Sequence, residues 1–193
     1  TCKIIWKFIF NIKAKEKNYA LKNICLAIED SDPKDDDVII VLDGDDWLSS
    51  TDVLNHLNQI YSEEDVMLTY GSYEESATGR RGVEPSQYPE EVIKNNTFRK
   101  DQWRASHLRT FKYKLWKEIK KEDLLDEDGE YYKSAYDQAI MLPALEMCGH
   151  RARYVPKILC VYNTQNPNAV VKDRQNKQHQ NMLEIRAKKP YDR

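Results

Sequence analysis

The sequence predicts an α/β fold with a mainly parallel sheet flanked by helices, and three observations predict it. The first is a rhythm: the opening 70 or so residues read strand, helix, strand, helix, strand, the order of a sheet with right-handed crossovers. The second is the run Val38-Ile39-Ile40-Val41-Leu42. Its apolar residues show no alternation, as expected of a central strand buried on both faces. The third is length: 193 residues suit one domain around one core.

Taken in order, Lys3 to Ile12 is rich in Ile, Phe and Trp and predicts a strand. Leu21, Ile24, Cys25 and Ile28 fall at i, i+3, i+4 and i+7, one face of an amphipathic helix. Asp30 to Asp37 is an acidic loop before the apolar strand. Ser49 to Asp52 supplies N-cap chemistry for a helix carrying Val53, Leu54, Leu57 and Ile60. Val66 to Tyr70 predicts the next strand, closed by Gly71. Ser72 to Gln102 holds Gly79, Gly82, Pro85 and Pro89 and few apolar residues, which predicts a long surface excursion of the functional kind.

Thr110 to Ile119 predicts a helix with Phe111, Leu115, Trp116 and Ile119 on one side. An acidic loop with Gly129 follows. Ser134 to Met147 predicts a second helix, stopped by Gly149 and either kinked or started late by Pro143. Two short strands, Ala152 to Val155 and Ile158 to Tyr162, precede a turn at Asn163 to Asn168 with Pro167. The whole chain, 1–193, reads as a single domain whose residues 172–193 form a polar helical tail.

Composition excludes some functions. Net charge is -2, without the basic footprint of a nucleic-acid binder. No apolar run approaches the roughly 18 residues of a membrane span. The apolar start is broken by Lys3 and Lys7 and lacks a small-residue cleavage site, so a signal peptide is not expected. With no initial Met, a processed chain or a fragment is expected. The cysteines form no C-x-x-C pair. Cys25, Cys148 and Cys160 read as small buried hydrophobes, which suits a reducing, cytoplasmic setting.

The strongest chemical feature is Asp43-Gly44-Asp45-Asp46 at the end of the apolar strand. Open α/β sheets bind ligands beyond the carboxyl ends of their strands. Carboxylates crowded there repel, and a hard cation such as Mg²⁺ or Mn²⁺ relieves them and bridges to phosphate oxygens. In extended backbone Asp43 and Asp45 point to one side. The plainer reading is a turn with helix-capping acids.

Val41 to Leu48, Val-Leu-Asp-Gly-Asp-Asp-Trp-Leu, resembles the D-x-D segment of glycosyltransferase family 2, a GT-A fold. Ala20-Leu21-Lys22-Asn23, Ser106-His107-Leu108-Arg109-Thr110-Phe111, Asp137 to Met147, and Tyr162-Asn163 with Asn166-Pro167 resemble further segments, several of them from a viral and bacterial branch. The resemblance implies a GT-A-like (Rossmann-like) domain that moves a hexose, with inversion, from a nucleoside-diphosphate sugar such as a UDP-sugar. The acceptor would be a hydroxyl on a glycan, protein or small molecule, and the setting the cytoplasm, or a host's cytoplasm for a viral chain. It implies Mn²⁺ or Mg²⁺ held by Asp45 and Asp43, with Asp43 alternatively on the ribose and Asp46 supporting the turn. It assigns Asp137 as general base. His107 and Arg109 would bind diphosphate or metal, or serve as cap and surface residues. Trp103 and Trp47 would stack on sugar or pack in the core.

Two departures stand beside it. Tyr136 replaces the Glu usual before the base. The family's first strands, which read the nucleotide base, have no counterpart before Lys3, so they are missing or the opening is unusual; a truncated, inactive sugar-nucleotide or carbohydrate-binding domain is the alternative.

Overall fold

The computed structural model describes residues 19–83, 85–166 and 175–193. The strand expected over Lys3 to Ile12 and the turn residue Pro167 lie outside them.

The chain is mixed α/β, with helices α1 (Ala20–Ser31) and α2 (Val53–Tyr61) early in the order. The predicted periodicity is the one used: α1 buries Leu21, Cys25 and Ile28, and α2 buries Val53, Leu57 and Tyr61. The cap before α2 differs from expectation. Asp52 is itself helical and makes no side-chain cap; its N–H bonds to Ser50 Oγ at 3.3 Å.

Among the described residues, five strands form one sheet: β1 (Val38–Val41), β2 (Trp47–Leu48), β3 (Leu68–Glu75), β4 (Ser106–Lys112) and β5 (Ala152–Tyr162), in the order β1-β4-β3-β5-β2. The sheet is not mainly parallel. Only β3 and β5 pair in parallel, while β1–β4, β4–β3 and β5–β2 are antiparallel. The cause is β4, which enters between β1 and β3. Its residues Thr110 to Lys112 were expected in a helix, but the helix α4 spans only Tyr113–Lys117. Leu115 and Ile119 are buried in the core beside Phe111 either way, so apolar spacing did not distinguish the two forms. β-branched Thr110 and aromatic Phe111 favour the strand. The same insertion leaves β1 at an edge of the described sheet. It is half-buried except at Val41, not buried on both faces.

Residues 152–162 form one strand rather than two. Its pairing with β3 shifts register between Gly71 and Tyr73. Gly71 is needed there, because a Cβ would stand 2.8 Å from the Val155 carbonyl oxygen. The described residues of 72–102 hold more regular structure and more of the core than a surface excursion would. β3 runs on to Glu75, α3 covers Glu90–Lys94, and Tyr88, Ile93 and Phe98 are buried in the main core.

The sheet is covered on two faces. On one, α5 (Tyr136–Cys148) packs with α1 and α4 on Leu68, Tyr70 and Phe111. Its apolar surface goes nearly all round, as a central helix requires. Pro143 lies inside α5. The helix ends at Gly149, whose φ of 54° suits glycine. On the other face, α2 packs on Leu108, Val155, Leu159 and Cys160. Strand alternation therefore divides β4. Thr110 meets Tyr61 of α2 at 2.7 Å, and Arg109 meets Tyr136 of α5 at 3.2 Å. Among the described residues no helix is long and apolar enough to cross a membrane. A polar helix, α6 (Gln175–Ala187), closes the order.

Candidate functional site

The site forms where three elements meet. After β1 the chain turns through Asp43 to Asp46, closed by a 3.0 Å bond from the Asp46 N–H to the Asp43 carbonyl. β4 lies antiparallel to β1 with Arg109 opposite Val41, which brings His107 and Arg109 to this turn. α5 begins at Tyr136 and adds its first two side chains.

Asp43 is the hub. It accepts from the Tyr136 hydroxyl, from Arg109 Nη2 at 3.3 Å, and lies 3.4 Å from His107 Nε2. Arg109 also reaches Asp137, Nη1 to Oδ2 at 3.5 Å. One buried guanidinium therefore links two carboxylates from different elements, with its charge over the Tyr136 ring at 5.4 Å. Among the described residues the buried Arg109 Nε has no hydrogen-bond partner.

Asp46 is the most enclosed acid of the turn. The Asn163 N–H donates to its Oδ1 at 2.9 Å. Among the described residues its buried Oδ2 has no hydrogen-bond partner, and it lies 3.6 Å from His107 Nε2. An orphan carboxylate oxygen in that position calls for an explanation such as an ion. His107 is oriented on its other side by Ser106 Oγ, 2.9 Å from Nδ1. Tyr73 and Tyr162 wall it, with ring centroids at 5.3 and 5.6 Å.

Electrostatics separate the two acids. Burial works against the charge of Asp43, but the His107 hydrogen bond, the Arg109 charge and the Tyr136 hydroxyl outweigh it. Its carboxyl is held well below the ordinary range. Burial dominates at Asp46 and pushes its carboxyl up, helped by the Asp43 and Asp45 charges and opposed by the Asn163 N–H and His107. Burial also disfavours the Arg109 charge, yet Tyr136, Asp137 and Asp43 overcome it and Arg109 stays protonated. The Tyr136 hydroxyl is raised, by burial first and then by the Asp43 charge against the Arg109 charge, so it serves as a donor.

Asp43, Asp46 and His107 each offer one ligand atom, all within 4.8 Å of one another, and so could hold a metal ion. Two carboxylates and one imidazole are a donor set that suits a divalent metal ion, and among the described residues the Asp46 Oδ2 takes part in no hydrogen bond.

Of the residues singled out in the sequence, the fold gathers Asp43, Asp46, His107, Arg109 and Asp137. Asp45 stands outside this group, exposed and accepting from Asn166 Nδ2 at 2.7 Å. Trp103 packs against the main core. Trp47 is nearly half exposed on β2. Sequence reading overlooked Ser106 as the partner of His107, Tyr73 as a wall, and Tyr136 as a donor. Tyr136 had registered only as a departure from Glu, and its place beside Asp137 was the available signal. No family model matches the chain, and no curated protein matches it.

Proposed function

We propose that the chain is a metal-dependent, inverting glycosyltransferase domain of GT-A-like design that uses a nucleoside-diphosphate sugar. The observation that carries this reading is the Asp43–Asp46–His107 group, joined through Arg109 to Asp137. The direction shared by β1, β3 and β5, with β4 opposed, also supports a GT-A-like sheet, and the resemblance of the D-G-D-D segment supports the substrate class.

In this reading Asp43, Asp46 and His107 hold Mn²⁺ or Mg²⁺, with Asp45 at the open rim of the turn. The ion would supply charge stabilisation to the donor diphosphate. Asp137, partly open to solvent, accepts the proton of the acceptor hydroxyl as that oxygen attacks the anomeric carbon and the nucleoside diphosphate leaves. Arg109 is too buried to bind a surface phosphate; it orients Asp43 and Asp137. UDP-hexose as donor, a hydroxyl acceptor and a cytoplasmic setting belong to the same reading.

One observation favours a second reading, sugar-nucleotide or carbohydrate binding without transfer. Both Asp43 oxygens are already engaged, Oδ1 by Tyr136 and Oδ2 by Arg109 and His107. Calorimetric titration of UDP with Mn²⁺ and then with EDTA tests both. Metal-dependent binding with slow hydrolysis of UDP-sugar supports the transferase. Binding without hydrolysis supports the second reading, and no binding of UDP, GDP or dTDP overturns the transferase and leaves only the carbohydrate-binding form of the second reading.

A further inference from the structure

The C-terminal helix reads from sequence as a polar tail, and it is tied to the start of α5. Asn181 is buried, and its Nδ2 donates to Ser134 Oγ at 3.0 Å and to the Ser134 carbonyl at 3.4 Å. Tyr132 donates to Glu184 Oε1 at 2.6 Å. Arg186 Nε donates to Gln138 Oε1 at 2.8 Å, and its Nη1 to the Asp101 carbonyl at 2.7 Å. Ile185 is fully buried in the main core and fixes the register of these contacts.

The tethers at Tyr132, Ser134 and Gln138 bracket Ala135, Tyr136 and Asp137. Ala135 has a φ of 55°, left-handed backbone that alanine adopts only at a steric cost. Such a residue persists when its surroundings over-determine it. Its carbonyl accepts from the N–H groups of Gln138 and Ala139 and so launches the helix. The next two side chains reach Asp43 and Arg109.

We propose that α6 braces this turn, and that Asn181 is a positioning residue holding Tyr136 and Asp137 against Asp43 and Arg109. Its catalytic consequence rests on the transferase reading; the brace itself does not. The test compares Asn181→Ala and Ser134→Ala, which remove opposite ends of one hydrogen bond, with the parent chain. The second variant removes only a hydroxyl and serves if the first fails to fold.

Amide exchange over residues 134–140 is expected to quicken about tenfold in each variant while α1 keeps its protection. Unchanged exchange there, or equal quickening in α1, overturns the brace. With UDP-sugar, kcat is expected to fall about tenfold with the donor KM unchanged. A KM effect alone overturns the positioning role. A parent chain with neither turnover nor UDP binding removes the transferase reading while the exchange result still decides the brace.

Discussion

Arg99 and Arg109 are both almost fully buried, but their surroundings differ. Arg99 meets Glu146 with two short parallel bonds of 2.7 and 2.9 Å. Its Nη1 donates to the Ile185 carbonyl at 2.5 Å, and Glu146 Oε2 also accepts from the Tyr191 N–H. Arg109 makes longer contacts of 3.2 to 3.5 Å to Tyr136, Asp43 and Asp137, and its Nε has no hydrogen-bond partner among the described residues. The Asp46 Oδ2 beside this second network also has no hydrogen-bond partner among the described residues. Glu146 is sealed, whereas Asp43 and Asp137 keep about a quarter of their side chains open. A bidentate pair with satisfied neighbours locks elements together. A looser network with orphaned atoms leaves capacity for a ligand.

The largest expected effect tests the lock. Glu146→Ala leaves the Arg99 charge buried and uncompensated, and should destabilise the fold by about 3–5 kcal/mol in urea unfolding. Replacing both partners together, Arg99→Met with Glu146→Leu, should cost much less. Equal losses would show that the pair itself, not the stranded charge, matters.

Arg109→Met comes next, at about 1–3 kcal/mol, because Asp43 and Asp137 can rehydrate at their open sides. A cost matching that of Glu146→Ala would erase the contrast between the two networks.

Two neighbouring acids sharpen the ligand side. Asp46→Asn should weaken Mn²⁺ binding at least about tenfold, read by calorimetry, with a melting temperature unchanged or higher because a costly buried charge is gone. Asp45→Ala should retain Mn²⁺ binding and change stability by less than about 0.5 kcal/mol. The reverse pattern would return the principal ligand to Asp45, where the D-x-D resemblance puts it.

The smallest effect concerns thiols on the two sides of the molecule. Burial pushes Cys148, two residues beyond Glu146, and Cys160, on β5 near the acidic turn, up to about 12. Neither should react with iodoacetamide at pH 8 in the native state, as measured by peptide mass spectrometry. Selective labelling of Cys160 would reveal opening on the ligand side.

Much of the local structure was legible. Helices α1 and α2 follow from apolar spacing, β1 from its apolar run, and the end of α5 from Gly149, because each depends on neighbours in the chain. Residues 106–112 were not legible to the same degree. Phe111, Leu115 and Ile119 meet the core in either form, so the choice of strand at Thr110 and Phe111 depended on β1 and β3 standing open to pair with it. Asp43 was visible as a candidate from its place after an apolar strand. That Asp46 rather than Asp45 turns inward was not visible, since Asn163 and Asn166, more than a hundred residues away, divide the two acids between buried and exposed.

The sequence by itself determined an α/β chain with an acidic turn after its first described strand and a later helix that carries Asp137 near its start. Periodicity and turn chemistry act over a few residues, so they can be read from one segment. Only the tertiary structure decided the mixed strand order, the meeting of His107 and Arg109 with Asp43, and the docking of a polar tail under Asp137. Those depend on hydrogen bonds and charges between distant segments, whose partners are chosen when the sheet closes and the helices pack.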